Sequence, residues 1–328
     1  MTTLPERPRY LFIRILEACN AGCFMCDFAH SRDTYRFTNE DLSELVPKAL
    51  EEGVRYLRFT GGEPLMHREI LPMVRTAAEA GLQVSLITNG MLLPRMADAL
   101  AEAGLSLVVV SIDGMDAKSH DLFRDARNCF DRAVEGLKLA KSLGIMCRVN
   151  SVVGPHNYRE MPELQEFLAD LGVDQWDLSA LKLSQMPTYP DEDDVRRVGE
   201  RIYAHERLRP MGKRWYGETA EEQHRYFAQG VTPRVSQDRC FAAEDVVYLD
   251  AKDGSAFVCA CLPHRTDGGS NSARFRTGGV VDLGTPRLRE MQQHFAAHGP
   301  ASCTGCNAAS ARYSDVVAAG SDVPAWAY

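Results

Sequence analysis

The sequence predicts an α/β protein: a parallel sheet built from six βα units, followed by a small domain of β-hairpin and helix. Three observations carry this prediction. Apolar, strand-like runs alternate with runs of helical period through residue 180. Five times a helical segment ends in glycine and an apolar strand follows at once. After residue 185 the alternation stops, and cysteines set among glycine-rich turns take over. With 328 residues, 45% of them hydrophobic and 25% charged, the chain has the makings of a large core, which excludes collagen-like, coiled-coil and wholly disordered classes.

Tyr10–Leu16 reads as the first strand. Thr38 and Asp41 form a capping box, and Leu42, Leu45, Val46, Ala49 and Leu50 then share one helical face. Pro47 interrupts that helix and is expected to kink it. Strands follow at Tyr56–Phe59, Val84–Ile87, Leu107–Val110, Met146–Val149 and Trp176–Leu178. Helices lie between them near Ile70–Ala80, Leu93–Ala103, Ser119–Leu143 and Met161–Leu171. Gly53, Gly81, Gly104, Gly144 and Gly172 punctuate the joins, because glycine takes the left-handed conformation just past a helix end. Short joins imply parallel strands with right-handed crossovers, arranged as a partial (β/α)6 barrel or a doubly wound sheet. In either case the chemistry gathers at the C-terminal strand ends.

The first domain is read as residues 8–185. A bridging segment, 186–235, is broken by Pro187, Pro190, Pro210 and Pro233 and holds one helix near Asp193–His205. The second domain, 236–318, contains a hairpin turning at Asp253-Gly254 and a short helix near Arg287–Ala297.

A net charge of −8 argues against a nucleic-acid-binding surface. No apolar run approaches the ~20 residues of a membrane span, and the first residues lack the apolar core of a signal peptide. The expected setting is the cytoplasm, where thiols stay reduced. Ten cysteines then call for a role other than disulfides.

Three of them stand in Cys19-Asn-Ala-Gly-Cys23-Phe-Met-Cys26, in the loop after the first strand. Three thiolates so spaced can hold a four-iron cluster with one iron left open; zinc on Cys23, Cys26 and His30 is the alternative. Gly61-Gly62-Glu63-Pro64 follows the second strand, where two glycines would let a ligand approach the backbone and Glu63 offers a carboxylate to an ammonium group. A plain turn with proline at the helix start is the other reading.

Together these motifs resemble the radical S-adenosylmethionine superfamily, and the resemblance covers about residues 8–185. It implies a [4Fe–4S] cluster on Cys19, Cys23 and Cys26, whose open iron chelates S-adenosylmethionine. Reductive cleavage then gives a 5′-deoxyadenosyl radical that abstracts a substrate hydrogen. It further implies that Gly61, Gly62, Glu63 and Pro64 form the cofactor turn, with Glu63 at the methionine amine. Met25 resembles the residue packed near adenine, with an ordinary core methionine as the alternative. Ser111 and Asp113 resemble residues near the ribose and methionine carboxylate, and Asn150 a ribose contact. Arg124 suits a carboxylate, or is a surface helix charge.

Cys240, Cys259, Cys303 and Cys306 form a second constellation, two remote thiols plus a Cys-x-x-Cys knuckle, which also suits structural zinc. It resembles the shortened SPASM, or twitch, module, implying a second [4Fe–4S] cluster with no open iron and a role in electron transfer. The fold implied is a partial (β/α)6 barrel with a small C-terminal iron–sulfur domain. Cys261 is left over: a hydrogen-atom donor, a passive thiol, or a ligand in exchange with Cys259. Cys129 and Cys147 read as buried, inert thiols.

Only 18 residues precede Cys19, which favours a small substrate over a leader peptide. The one-cluster module resembles the radical dehydrogenases of aminoglycoside biosynthesis, such as 2-deoxy-scyllo-inosamine dehydrogenase. The implied reaction is oxidation of a secondary alcohol in an aminocyclitol or amino sugar, with a flavodoxin- or ferredoxin-type electron donor. Asp177, Lys182 and Tyr189 are candidate proton acceptors or substrate contacts. The alternatives are redox-neutral epimerisation through Cys261, peptide modification of the SPASM type, and a zinc-stabilised binding module.

Overall fold

The structure is a computed structural model describing residues 9–26, 28–181, 188–230, 232, 240–252 and 254–258, with positions 273–274, 276–277, 280–281, 289–290, 292–294, 317 and 326 beyond. Six strands lie side by side in chain order: β1 (Tyr10–Leu16), β2 (Tyr56–Gly61), β3 (Gln83–Thr88), β4 (Leu105–Ser111), β5 (Met146–Val153) and β6 (Gln175–Ala180). Each pairs in parallel with the next. The crossovers are α1 (Asn39–Glu51), α2 (Ile70–Glu79), α3 (Leu93–Glu102), α4 (Ala117–Arg124) with α5 (Cys129–Ser142), and α6 (Met161–Asp170).

Sequential strand order with right-handed crossovers places every helix on one face. A doubly wound sheet would reverse its order midway, so the fold is the partial (β/α)6 barrel, with its sheet not closed. Side chains alternate accordingly. Leu11, Ile13, Leu57, Phe59, Val84, Leu86, Val108, Val110, Val149 and Leu178 enter the main core. Each such burial contributes on the order of 1.5–3 kcal/mol. The opposite, concave face carries Arg58, Ser85, Arg148, Asn150 and Asp177. Gly53, Gly81, Gly104, Gly144 and Gly172, the five joining glycines, all have positive φ, between 71° and 93°.

Four features differ from the sequence reading. Helix α1 runs through Pro47, because its buried stripe of Leu42, Leu45, Val46 and Ala49 holds it to the sheet while the proline faces outward. The single helix expected over Ser119–Leu143 is two, broken by left-handed Asp125 and Asn128. The Asp121 carboxylate accepts from Asn128 N at 2.7 Å and Phe130 N at 2.9 Å, which starts α5 afresh.

The bridge holds two helices, α7 (Glu192–Tyr203) and α8 (Ala220–Gln229), the latter with a capping box of Thr219 and Glu222. Finally, α9 (Phe241–Asp245) leads into β7 (Val246–Asp250), which pairs in parallel with β1 and antiparallel with β8 (Ser255–Phe257). The hairpin is present, with Gly254 at φ 72°, while Asp253 lies outside the described residues. Its first strand nevertheless extends the barrel sheet, because all five of its residues are buried and the Arg9–Asp245 and Arg14–Asp250 ion pairs tie it to β1. In the helix expected over Arg287–Ala297, positions 289–290 and 292–294 are described and helical.

Candidate active site

The loop leaving β1 carries Cys19, half-buried, Cys23, buried, and Cys26, exposed; none is in a disulfide. Its path is set by backbone contacts. Gly62 N donates to Leu16 O and Glu63 N to Ala18 O, both at 2.9 Å, and Gly22 N donates to Arg124 O at 3.1 Å. A Cβ on Gly61 would collide with Leu16 O, and one on Gly62 with the carbonyls of Glu17 and Ala18. The sequence reading had these glycines admitting a ligand; what approaches them is the chain's own backbone, and Gly61 also needs its φ of +142°. The glycines therefore place the cysteine loop.

Glu63 is 1% exposed. Its Oε1 accepts from Thr88 Oγ1 at 2.7 Å and Leu65 N at 3.0 Å, and its Oε2 from Asn89 N at 2.8 Å. Burial pushes its carboxyl above the usual range while these three donors oppose the shift. Pro64 starts the short 3-10 turn that follows. Asn89 bridges back, its Nδ2 donating to Asn20 Oδ1 at 2.7 Å and lying 3.9 Å from Cys19 Sγ.

Asp113 lies just beyond β4 with its side chain fully enclosed. Oδ1 accepts from Val152 N at 2.7 Å, and Oδ2 from Arg124 Nε at 2.6 Å. Its own N–H donates to Nδ1 of buried His120 at 3.0 Å. Both oxygens are engaged, and Asp113 holds Arg124 in place. Arg124 is 9% exposed, which overturns the surface-charge alternative; its Nη1 reaches Cys23 Sγ at 3.9 Å. Arg124 lies on the buried face of α4 together with His120 and Phe123.

Burial pushes the Cys19 thiol up to about 11, helped by nearby Glu63, Cys23 and Cys26. Cys23 is raised for the same reason, opposed by Arg124. Ligation must displace those protons. Among the described residues no three His, Cys, Asp or Glu side chains converge to hold a single ion. Three unpaired sulfurs on one loop instead fit a multi-iron cluster that keeps one iron open. Met25 beside them is half-buried.

Register aligns Ser111, Asn150 and Asp177 across β4, β5 and β6, so their side chains share the concave face. Asn150 Oδ1 and Asp177 Oδ1 are buried and find no hydrogen-bond partner among the described residues. Burial raises the Asp177 carboxyl, while Arg148 and Arg58 lower it. Tyr189 stands elsewhere, its hydroxyl 2.9 Å from that of Tyr226 among aromatic rings. Cys240 is buried at the start of α9. Lys182, Cys259, Cys261, Cys303 and Cys306 lie outside the described residues. Cys129 and Cys147 are fully buried, and burial pushes both thiols up to about 12.

Sequence reasoning missed Thr88, Asn89, His120 and Arg148. Thr88-Asn89-Gly90 had an available signal, its place at the C-terminal end of a parallel strand. Arg148 had none, since a charged residue inside a strand does not disclose which face it occupies.

The sequence model of the radical SAM superfamily matches residues 13–168. A probable GTP 3′,8-cyclase of Methanopyrus kandleri is 34% identical over 223 residues, covering 64% of this chain and 70% of the relative. One from Saccharolobus solfataricus is 32% identical over 200 residues, covering 58% and 64%. The AdoMet-dependent heme synthase of Methanosarcina barkeri is 29% identical over 176 residues, covering 53% and 50%. The chain thus spans between half and two thirds of the length of these last two. Streptococcus suis SuiB bound to precursor peptide SuiA shares the fold, at TM-score 0.65 and 18% identity, over 96% of this chain and 74% of that one.

Proposed function

The chain belongs to the radical SAM superfamily, and from that premise we propose that it oxidises a carbinol of a small, hydroxyl- and amine-bearing substrate, an aminocyclitol or amino sugar, to a ketone. The observation that carries this reading is the pair of buried, unpartnered acceptors, Asn150 Oδ1 and Asp177 Oδ1, on one row of the concave face. Buried acceptors are costly unless a donor reaches them, and hydroxyls and ammonium groups are such donors.

Cys19, Cys23 and Cys26 would hold a [4Fe–4S] cluster that, with S-adenosylmethionine, would supply hydrogen-abstracting radical chemistry at the carbinol, and Cys240, Cys259, Cys303 and Cys306 would hold a second cluster supplying one-electron chemistry. The first electron comes from a flavodoxin- or ferredoxin-type partner. The protein's own part is positional and acid–base. Asp177 accepts the hydroxyl proton, and its burial makes it a stronger base than an exposed carboxylate. Asn150 and Ser111 orient the substrate or the ribose beside it. Glu63 and Asn89 brace the cysteine loop against β3, and Arg124 places a positive charge beside Cys23 sulfur.

Two other readings have specific support. The relatives named as GTP cyclases are described by a small-molecule substrate, consistent with a small ligand here though not with oxidation. SuiB, which shares the fold, is seen with a precursor peptide, which favours peptide modification. Epimerisation with Cys261 returning the hydrogen atom is the redox-neutral form of the lead reading.

The test is anaerobic incubation with S-adenosylmethionine, a strong reductant and a panel of aminocyclitols and aminoglycosides, read by mass spectrometry. Loss of two hydrogens, matched to 5′-deoxyadenosine, supports oxidation, and Asp177→Asn should then cleave S-adenosylmethionine without forming ketone. Unchanged mass with one deuterium gained from heavy water would replace oxidation by epimerisation. Turnover of a peptide alone would sink the small-substrate reading.

A further inference from the structure

We propose that Trp326 is the floor of the substrate chamber and a positioning residue for Arg148, a buried guanidinium on the strand next to that of Asp177. The link to catalysis rests on the role given above to Asp177; the floor itself does not.

Trp326 is 3% exposed, yet it packs apart from the helix-covered core. Its buried companions are Leu107 and Val109 of β4, with Tyr56, Ile87 and Met146 packed around them. Register puts these residues on the concave face: Ile87 aligns with Val109, Leu107 with Met146, and Val109 with Arg148. The Trp326 ring meets the Tyr56 ring at 4.8 Å and 61°, and Tyr56 stacks on Tyr10 at 4.7 Å. Tyr10, Tyr56 and Met146 begin their strands. An apolar slab therefore closes the end of the barrel opposite the cysteine loop.

Charged groups sit directly on that slab. The Arg58 guanidinium lies 5.6 Å from the Trp326 ring and 4.9 Å from the Phe12 ring, while its Nε donates to Ser85 Oγ at 2.9 Å. Two aromatic faces thus hold one cation. Arg148 Nη2 donates to the Trp326 carbonyl, and its Nε and Nη2 both reach Gln175 Oε1, at 2.9 and 2.6 Å. Arg148 is 3% exposed, two residues before Asn150 on the same strand face. A guanidinium fixed on two sides keeps one orientation, and its charge lowers the Asp177 carboxyl on the neighbouring strand. The indole, seated between Tyr56 and β4, sets where the carbonyl of the same residue stands. Trp326 thereby governs a buried guanidinium in the middle of the sheet, on the strand next to that of Asp177.

The test compares the anaerobically purified, reconstituted full chain with Trp326→Ala, Trp326→Leu and Trp326→Phe. Phenylglyoxal modifies accessible arginines, and peptide mass spectrometry assigns the modified sites, so no substrate is needed. The expected result is at least several-fold faster labelling of Arg148 and Arg58 in Trp326→Ala, with parent-like rates restored in Trp326→Phe. Should Trp326→Ala fail to fold, Trp326→Leu keeps apolar volume without the ring and should still label faster. Parent-like labelling of Arg148 in the folded Ala or Leu variant would overturn the proposal, as would failure of Phe to rescue. Failure of the Asp177 reading would look different: Asp177→Asn would form ketone at full rate, and the labelling pattern would stand.

Discussion

Arg124 Nε donates to Asp113 Oδ2 at 2.6 Å, and the same guanidinium lies 3.9 Å from Cys23 Sγ. One side chain thus joins the end of β4 to the cysteine loop. It stands on the buried face of α4, one turn after His120, and the helix ends just beyond it, where Asp125 takes φ 46°. Both partners are buried, so the pair is a commitment of the fold rather than a surface ornament.

Removing one partner of a buried pair leaves an uncompensated charge, which typically costs about 3–5 kcal/mol. Arg124→Ala should destabilise the chain by that order in denaturant unfolding and lower the iron retained per chain. Arg124→Lys keeps the charge and loses the forked geometry, so it should fall between. An Arg124→Ala variant within about 1 kcal/mol of the parent would show that the pair does not hold the fold.

Gly62→Ala should give folded protein with little bound iron, because the new methyl group strikes the carbonyls of Glu17 and Ala18 and shifts Cys19. Circular dichroism with iron and sulfide analysis checks this. Full iron content would show that the loop can move aside.

Glu63→Gln replaces one acceptor oxygen with a donor amide facing a backbone N–H or the Thr88 hydroxyl. One buried hydrogen bond is lost and two donors are opposed, a cost of roughly 1–3 kcal/mol. The thermal midpoint of the cluster-free chain should fall, and S-adenosylmethionine should raise it less in the reconstituted variant than in the parent.

His120 carries a pH signature. Burial, reinforced by Arg124 and opposed by Asp113 and Asp121, lowers its imidazole from the usual 6.5 to about 4. The unfolded chain binds the proton first as pH falls. The neutral ring's contribution is therefore complete above about pH 6.5 and is lost between 6.5 and 4, with a slope of up to ~1.4 kcal/mol per pH unit. His120→Asn, which keeps an acceptor for Asp113 N–H, should flatten this limb of a stability-against-pH curve. An unchanged limb would assign it to other groups.

The βα order, the five glycine-ended helices, the capping box at Thr38 and the three-cysteine loop were all legible in the chain, because each is set by neighbours within a few residues. Period, caps and left-handed glycines are local consequences of backbone geometry. The same locality explains the misreadings. Helical period ran straight across residues 119–143 because nothing nearby announces that Asp121 will cap a second helix. Gly61 and Gly62 were recognised as a close approach, but what approaches them is decided by β1, more than 40 residues earlier.

The kind of protein, a βα chain with three thiols at the C-terminal end of its first strand, is thus readable from residue order alone. That β7 joins the barrel sheet, that Arg124 turns inward to Asp113, that Asn150 and Asp177 align, and that Trp326 lies against Arg148 emerges from long-range packing. These relationships pair groups far apart in the chain, 178 residues for Arg148 and Trp326 and 236 for Arg14 of β1 and Asp250 of β7. They arise because buried charges and acceptors must find partners wherever packing brings them, and residue spacing carries no record of that choice.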